Sequence, residues 1–255
     1  MKKILIIAPS WVGDCVLMQP MLHRLTQRHT GVQLDVLAPP WTEKLLRQMP
    51  EVSEVINNPF AHGAFRFSER RALGKRLRVA GYDQAIVLPN SWKSALIPYF
   101  ANIPVRTGFI GEARFGLLND ARKLDKSKLP LMVERFLHLA EDKGQTIDRP
   151  IANPRLRVNE EQKQLVLERF KLSTDRPVAA FCPGAEFGPA KRWPVQYYAE
   201  LGQHLFDQGY AIWLIGSPKD KEVADKIVAL GNSHAINLCG TTDLSDALAL
   251  IANAS

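Results

Sequence analysis

A chain of 255 residues with a formal net charge of +7 can bury a large core, so it is one big domain or two ordinary ones and not a small stapled scaffold. Its three cysteines, Cys15, Cys182 and Cys239, are odd in number and far apart, with no C-x-x-C, which points away from disulfides and structural zinc and towards a reducing, cytosolic setting. The charge is uneven: up to Pro150 there are 22 Lys+Arg against 14 Asp+Glu, and beyond it 11 against 12, so the basic character, which would attract an anionic partner, belongs to the first part.

The apolar run 3–8 is about six residues long and lacks an A-x-A cleavage site, so it reads as a buried parallel strand and not as a signal peptide. Cys15, Met18, Leu22 and Leu25 then recur at helical spacing. Between strand and helix stand Gly13, read as a sharp turn or a close approach to a ligand, and Asp14, at the helix start. Asp14 has two readings. It is a helix cap, or it is a carboxylate at the strand end where open α/β sheets bind ligands.

Strands follow at 32–38 and 52–57, with a short helix at 41–49 between them. The stretch 62–80 carries Arg66, Arg70, Arg71, Lys75, Arg76 and Arg78, and reads as a solvated helical face. A buried strand at 84–88 leads through the loop Pro89-Asn90-Ser91 into a helix at 92–100. Ser91 is its natural cap, and Lys93 lies in the first turn, where the helix dipole disfavours a cation unless an anion answers it. After a strand at 105–109, Arg106, Arg114, Arg122 and Lys123 gather in loops, and a helix at 131–143 is ended by Gly144.

Residues 145–154, QTIDRPIANP, have two prolines and no period, and read as a linker between domains 1–150 and 151–255. The alternation then restarts: helices at 159–170, 194–208, 218–230 and 244–252 and strands at 178–182, 210–215 and 235–238 imply a second parallel sheet. Three strands make a thin sheet, so the sequence reads as a fragment.

Within the second part, FCPGAEFGPAKRWP at 181–194 leaves a strand, crosses a loop with two glycines and enters a helix with Pro194 in its first turn. Such loops suit phosphates, and Lys191 adds a mobile charge. The absence of G-x-G-x-x-G and of a P-loop argues against an ordinary dinucleotide domain. Ser217 and Asp220 fit a capping box, and a ribose contact is the sharper reading of Asp220.

Four blocks carry a resemblance: APSWVGD at 8–14, VLPNSWKSALIPYF at 87–100, RTGFIGEARFGLLND at 106–120 and FCPGAEFGPAKRWP at 181–194. They resemble the bacterial ADP-heptose:lipopolysaccharide heptosyltransferases, the type II enzymes more than type I. The resemblance implies an α/β chain of GT-B architecture, two Rossmann-like doubly wound domains facing a cleft, with acceptor bound by the first and nucleotide sugar by the second, here incomplete. It implies inverting, metal-independent transfer of L-glycero-D-manno-heptose from ADP-heptose to the first heptose of a phosphorylated Kdo-lipid A acceptor, without a cofactor, by a cytoplasmic protein touching the inner membrane peripherally. By resemblance Asp14 is the general base, Lys191 meets the donor phosphates, Gly184 and Ala185 add backbone contacts there, and Asp220 is an acidic ribose contact. Ser10, Gly13, Asn90, Lys93, Arg106 and Arg114 are the expected acceptor contacts. The family's D-[ST]-G-x-x-H nucleotide segment is absent; if 255 residues are the whole protein, turnover is expected to be weak or absent.

Three alternatives compete: another GT-B transferase with a different donor or acceptor, a non-catalytic nucleotide-sensing module, and a nucleic-acid binder suggested by the basic half. The last lacks an aromatic RNA-binding signature and a helix-turn-helix.

Overall fold

A computed structural model of the chain describes residues 1–60, 63–186, 188–231 and 234–255. His62 and Phe187, which open and interrupt two of the stretches singled out above, lie outside the described residues. The chain divides into two compact units, Met1–Arg157 and Val158–Ser255.

The first unit is a six-stranded parallel sheet of β1 (Lys3–Ile7), β2 (Gln33–Ala38), β3 (Glu54–Asn57), β4 (Gln84–Val87), β5 (Val105–Phe109) and β6 (Asp120–Arg122) in the order β3-β2-β1-β4-β5-β6. Its helices are α1 (Val12–Leu17), α2 (Gln19–Arg28), α3 (Glu43–Leu46), α4 (Phe67–Leu77), α5 (Leu96–Phe100) and α6 (Met132–His138). Strand alternation sends Leu5, Ile7, Leu37, Ala85 and Val87 into one core with Leu73 of α4 and Ile97 of α5. Ile4, Ile6, Val36 and Ile86 are equally buried on the alternate positions, as a sheet covered on both faces requires.

Several expectations are corrected. The first helical pattern is two helices broken at Met18, because Pro20 cannot continue the α1 hydrogen-bond ladder and instead starts α2. The basic stretch is not wholly solvated: Arg70 is 5% exposed, donates to the carbonyls of Phe65 (2.7 Å) and Ala64 (2.9 Å), and lies 4.1 Å over the Phe60 ring. Arg122 is not in a loop but on β6, buried against Asp120 at 2.8 Å. The helix expected over 131–143 stops at His138, where Arg122 takes the His138 carbonyl (2.7 Å) and Arg28 that of Ala140, so cations satisfy the last turn's carbonyls. The stretch 145–154 carries a buried Ile147, and the division comes after Arg157, whose N–H bonds the Gln48 carbonyl at 2.8 Å.

In the second unit β7 (Val178–Phe181), β8 (Ala211–Leu214) and β9 (Ala235–Asn237) form a parallel sheet in chain order. Successive right-handed crossovers then put α8 (Val195–Asp207) and α9 (Lys221–Leu230) on one face, where Ile212 and Leu214 meet them. Trp213, fully buried, points to the other face against α7 (Glu160–Phe170) and α10 (Leu244–Ala252). Asn159 caps α7 by accepting from the Gln162 N–H at 2.8 Å, and Asp243 caps α10. Pro194 stands at the N-cap of α8, one residue before the position expected for it.

Candidate functional site

In the first unit the strand order reverses between β1 and β4, and chains leaving those two strands run to opposite sides, opening a crevice at their carboxyl ends. A pocket of about 620 Å³ occupies that crevice, lined by Pro9 and Ser10 after β1, by Asn90 and Lys93 after β4, and by Asp14.

Trp11, in extended conformation, is the N-cap of α1, so Asp14 lies inside the first turn and is not the cap. Among the described residues its carboxylate accepts no hydrogen bond, and partial burial pushes its carboxyl above the usual carboxylate range. Cys15 next to it is inert: burial pushes its thiol up to about 12, and the Sγ sits 3.4 Å from the Pro9 carbonyl. Gly13 is helical, and a Cβ there would meet nothing within 4 Å, so no turn or packing demand explains it. Unlike Ser10 and Asp14 on either side of it, Gly13 does not line the pocket.

Opposite, the 3-10 turn 92–95 starts from Ser91, whose hydroxyl makes no cap bond. The Trp92 N–H donates instead to Glu112, 2.9 Å away on a later loop. Lys93 lines the pocket, and among the described residues its ammonium has no carboxylate partner.

Arg114 and Arg106 do not offer their charge to this pocket. Arg114, 3% exposed, donates to the carbonyls of Pro89 (2.7 Å) and Phe109 and reaches Asn90 at 3.4 Å, which makes it the brace of the loop that carries Asn90. Arg106 is held by the carbonyls of Leu117 (2.7 Å) and Ile103 (2.6 Å) and lines a different cavity. Sequence reasoning missed Glu112, Arg70, Met132 and Phe136 as pocket walls, because they come from loops and helices that no local pattern brings to β1.

The second unit brings its named residues together at the ends of β7 and β8. Asp220, 9% exposed, accepts from the Ser217 N–H (2.9 Å) and hydroxyl (2.7 Å), which is the capping box. Gly184 packs so closely on this carboxyl that a Cβ would come within 2.1 Å of the Asp220 Cγ. The Ala185 carbonyl accepts from Arg192 at 3.1 Å, and Glu186 pairs with Lys219 at 2.7 Å. Lys191 ends the 3-10 turn Pro189–Lys191, is exposed, and has no ion pair among the described residues. The loop therefore displays one uncommitted cation on a framework fixed by its neighbours.

Among the described residues no cluster of three His, Cys, Asp or Glu side chains could hold a metal, and no helix is long and apolar enough to cross a membrane.

The family model described as glycosyltransferase family 9 (heptosyltransferase) matches residues 70–255. Lipopolysaccharide heptosyltransferase 2 of Salmonella typhimurium is 52% identical over 98% of this chain and 74% of its own length. The structure of E. coli ADP-heptose lps heptosyltransferase II superposes with a TM-score of 0.91 at 49% identity, covering all of this chain and 77% of that one. E. coli heptosyltransferase WaaC with ADP, 23% identical, shares the fold at a TM-score of 0.72 over 99% of this chain and 78% of that one.

Proposed function

The chain belongs to glycosyltransferase family 9, the heptosyltransferases, and from that premise we propose that it transfers L-glycero-D-manno-heptose from ADP-heptose to the first heptose of a phosphorylated Kdo-lipid A acceptor. The observation that carries the reading is the Asp14 carboxylate, partly buried and without a partner among the described residues, in the switch-point pocket of a glycosyltransferase.

Three properties fit Asp14 to the role of general base. It has no hydrogen bond to give up among the described residues, burial raises its proton affinity, and it stands in the pocket where an acceptor hydroxyl can reach it. The acceptor hydroxyl's proton passes to an Asp14 oxygen as the hydroxyl oxygen bonds to the anomeric carbon. The bond from that carbon to the ADP oxygen breaks on the opposite face, which inverts the centre. Lys191 stabilises the charge that develops on the departing diphosphate, and no metal is needed in this scheme. Ser10, Gly13, Asn90 and Lys93 flank the acceptor, Lys93 meeting its anionic groups. Arg114 acts through Asn90, which it braces. Gly184 and Ala185 lie against the nucleotide. Asp220, already tied to Ser217, shapes that loop and presents its remaining acceptor capacity to the ribose. The first unit thus serves the acceptor and the second the donor, in a cytoplasmic protein that meets the inner membrane peripherally.

The test is ADP release from ADP-heptose with and without the heptosylated Kdo-lipid A acceptor, for the protein and for Asp14→Asn. Acceptor-dependent release that the substitution abolishes is the expected result. ADP binding with turnover indifferent to the substitution would make this a nucleotide-binding module, and release from another nucleotide sugar alone would change the donor.

A further inference from the structure

A second cavity of the first unit, about 470 Å³, lies away from Asp14 and is lined by Arg71, Lys75, Arg78, Tyr99, Asn102 and Arg106. Arg106 is registered with Ala85, near the amino ends of β5 and β4, whereas Asp14 follows the carboxyl end of β1, which runs parallel to β4. The cavity therefore sits towards the amino ends of the strands, away from the carboxyl ends where the switch point opens.

Four cations converge here, and no carboxylate is among the described residues that line the space. Arg71, Lys75 and Arg78 follow at intervals of four and three residues, which places them on one ridge running off α4, with Arg106 coming from β5. Two of the four are built in. Arg78 is fixed by the Phe100 carbonyl (2.7 Å) and by Asn102 (3.3 Å), and Arg106 by the Leu117 and Ile103 carbonyls, its guanidinium 5.6 Å from the Tyr99 ring centre.

Favourable placement at a helix C-terminus accounts for Lys75 and Arg78 but not for Arg71, a turn earlier, or for Arg106 on a strand. Like charges one helical turn apart repel, and an anion held between Arg71 and Lys75 would relieve that repulsion. Val79, directly after Arg78, is 94% exposed, and Tyr99 and Val105 are also exposed. Cations beside protruding apolar side chains are what a protein presents to an anionic membrane surface.

We propose that this cavity takes the phosphate headgroup of an anionic phospholipid and holds the protein on the membrane leaflet, with Val79 and Tyr99 entering the headgroup layer. This deepens the peripheral contact proposed above and rests on that reading, but it is testable without either substrate. Co-sedimentation with phosphatidylcholine vesicles, with and without phosphatidylglycerol and lacking glycolipid and nucleotide, would be compared for the protein, for Arg71→Gln/Lys75→Gln and for the control Lys126→Gln/Lys128→Gln, which removes the same charge elsewhere. Thermal melting checks that each variant is folded. The protein should bind only the anionic vesicles. The first pair should bind them about thirty-fold more weakly, from two cations at about 1 kcal/mol each, and the control less than about twofold. Equal loss in both pairs, no loss in the first, equal binding to neutral vesicles, or binding of inorganic phosphate without vesicle binding would each overturn the proposal. Because the vesicles carry no substrate, failure here leaves the transferase reading intact.

Discussion

The two units build their sites from the same strand-to-helix connection yet reach opposite results. In the first, the order reverses beside β1, so a crevice opens and a carboxylate stands in it without a hydrogen bond among the described residues. In the second, the three strands run in chain order, and the loops after β7 and β8 close on each other, Gly184 against Asp220 and Glu186 against Lys219. Among the described residues the first leaves Asp14 without a hydrogen bond, whereas the second ties Asp220 to Ser217 and leaves Lys191 exposed and without an ion pair. A reacting base needs an accessible oxygen, whereas an anion can be met by a mobile cation on a rigid framework.

The sharpest way to break this contrast is Asp14→Asn. It should lower kcat by about 10²–10⁴ and leave the melting temperature unchanged or slightly raised, since the variant removes an ionised group that burial disfavours. The same burial moves the acid limb of the kcat/KM profile above the pH expected of an ordinary carboxylate. A folded-state pKa raised above the unfolded value means that ionised Asp14 opposes folding once the pH passes that raised value, and that this cost disappears as the pH falls below the unfolded one. An acid limb that persists in the variant would remove Asp14 from the base role.

Next in size is Lys191→Ala. Loss of a charge-assisted bond of about 1.5–3 kcal/mol predicts a fall of roughly 10–100-fold in kcat/KM for the donor, with denaturant stability unchanged because the side chain holds nothing among the described residues. Gly184→Ala should do the reverse of Lys191→Ala on stability: the new Cβ must displace the Asp220 carboxyl, costing about 1–3 kcal/mol in urea unfolding. Unaltered stability would show that Asp220 is not pinned by that contact. Smallest is Glu112→Ala, expected to cost about 1 kcal/mol as the loss of a cap at the Trp92 N–H, with an accompanying rise in acceptor KM as the Lys93 turn loosens.

Most elements were legible before the structure because their causes are local. β-branched runs give the strands, Asn159 and Asp243 cap helices within four residues, and Ser217 with Asp220 forms its box at a spacing visible in the chain. Errors fell where a distant partner overrides that preference. Ser91 looks like a cap, yet Glu112, twenty residues beyond Trp92, accepts the Trp92 N–H; Arg70, Arg114 and Arg122 look like surface charge, yet each finds backbone carbonyls or a carboxylate in the interior.

The sequence by itself determined two alternating α/β halves, the positions of Asp14 and Lys191 at strand-to-helix junctions, and the motifs of the family, since periodicity, capping and short-range steric demands act over a few residues. Only the tertiary structure decided that β4 lies beside β1, that Asp14 keeps no hydrogen-bond partner among the described residues, and that Arg114 is a brace while Arg71 and Lys75 remain at an open cavity. Strand order and burial are set by contacts between residues far apart in the chain, and desolvation, which separates a structural arginine from a binding one, exists only once those contacts form.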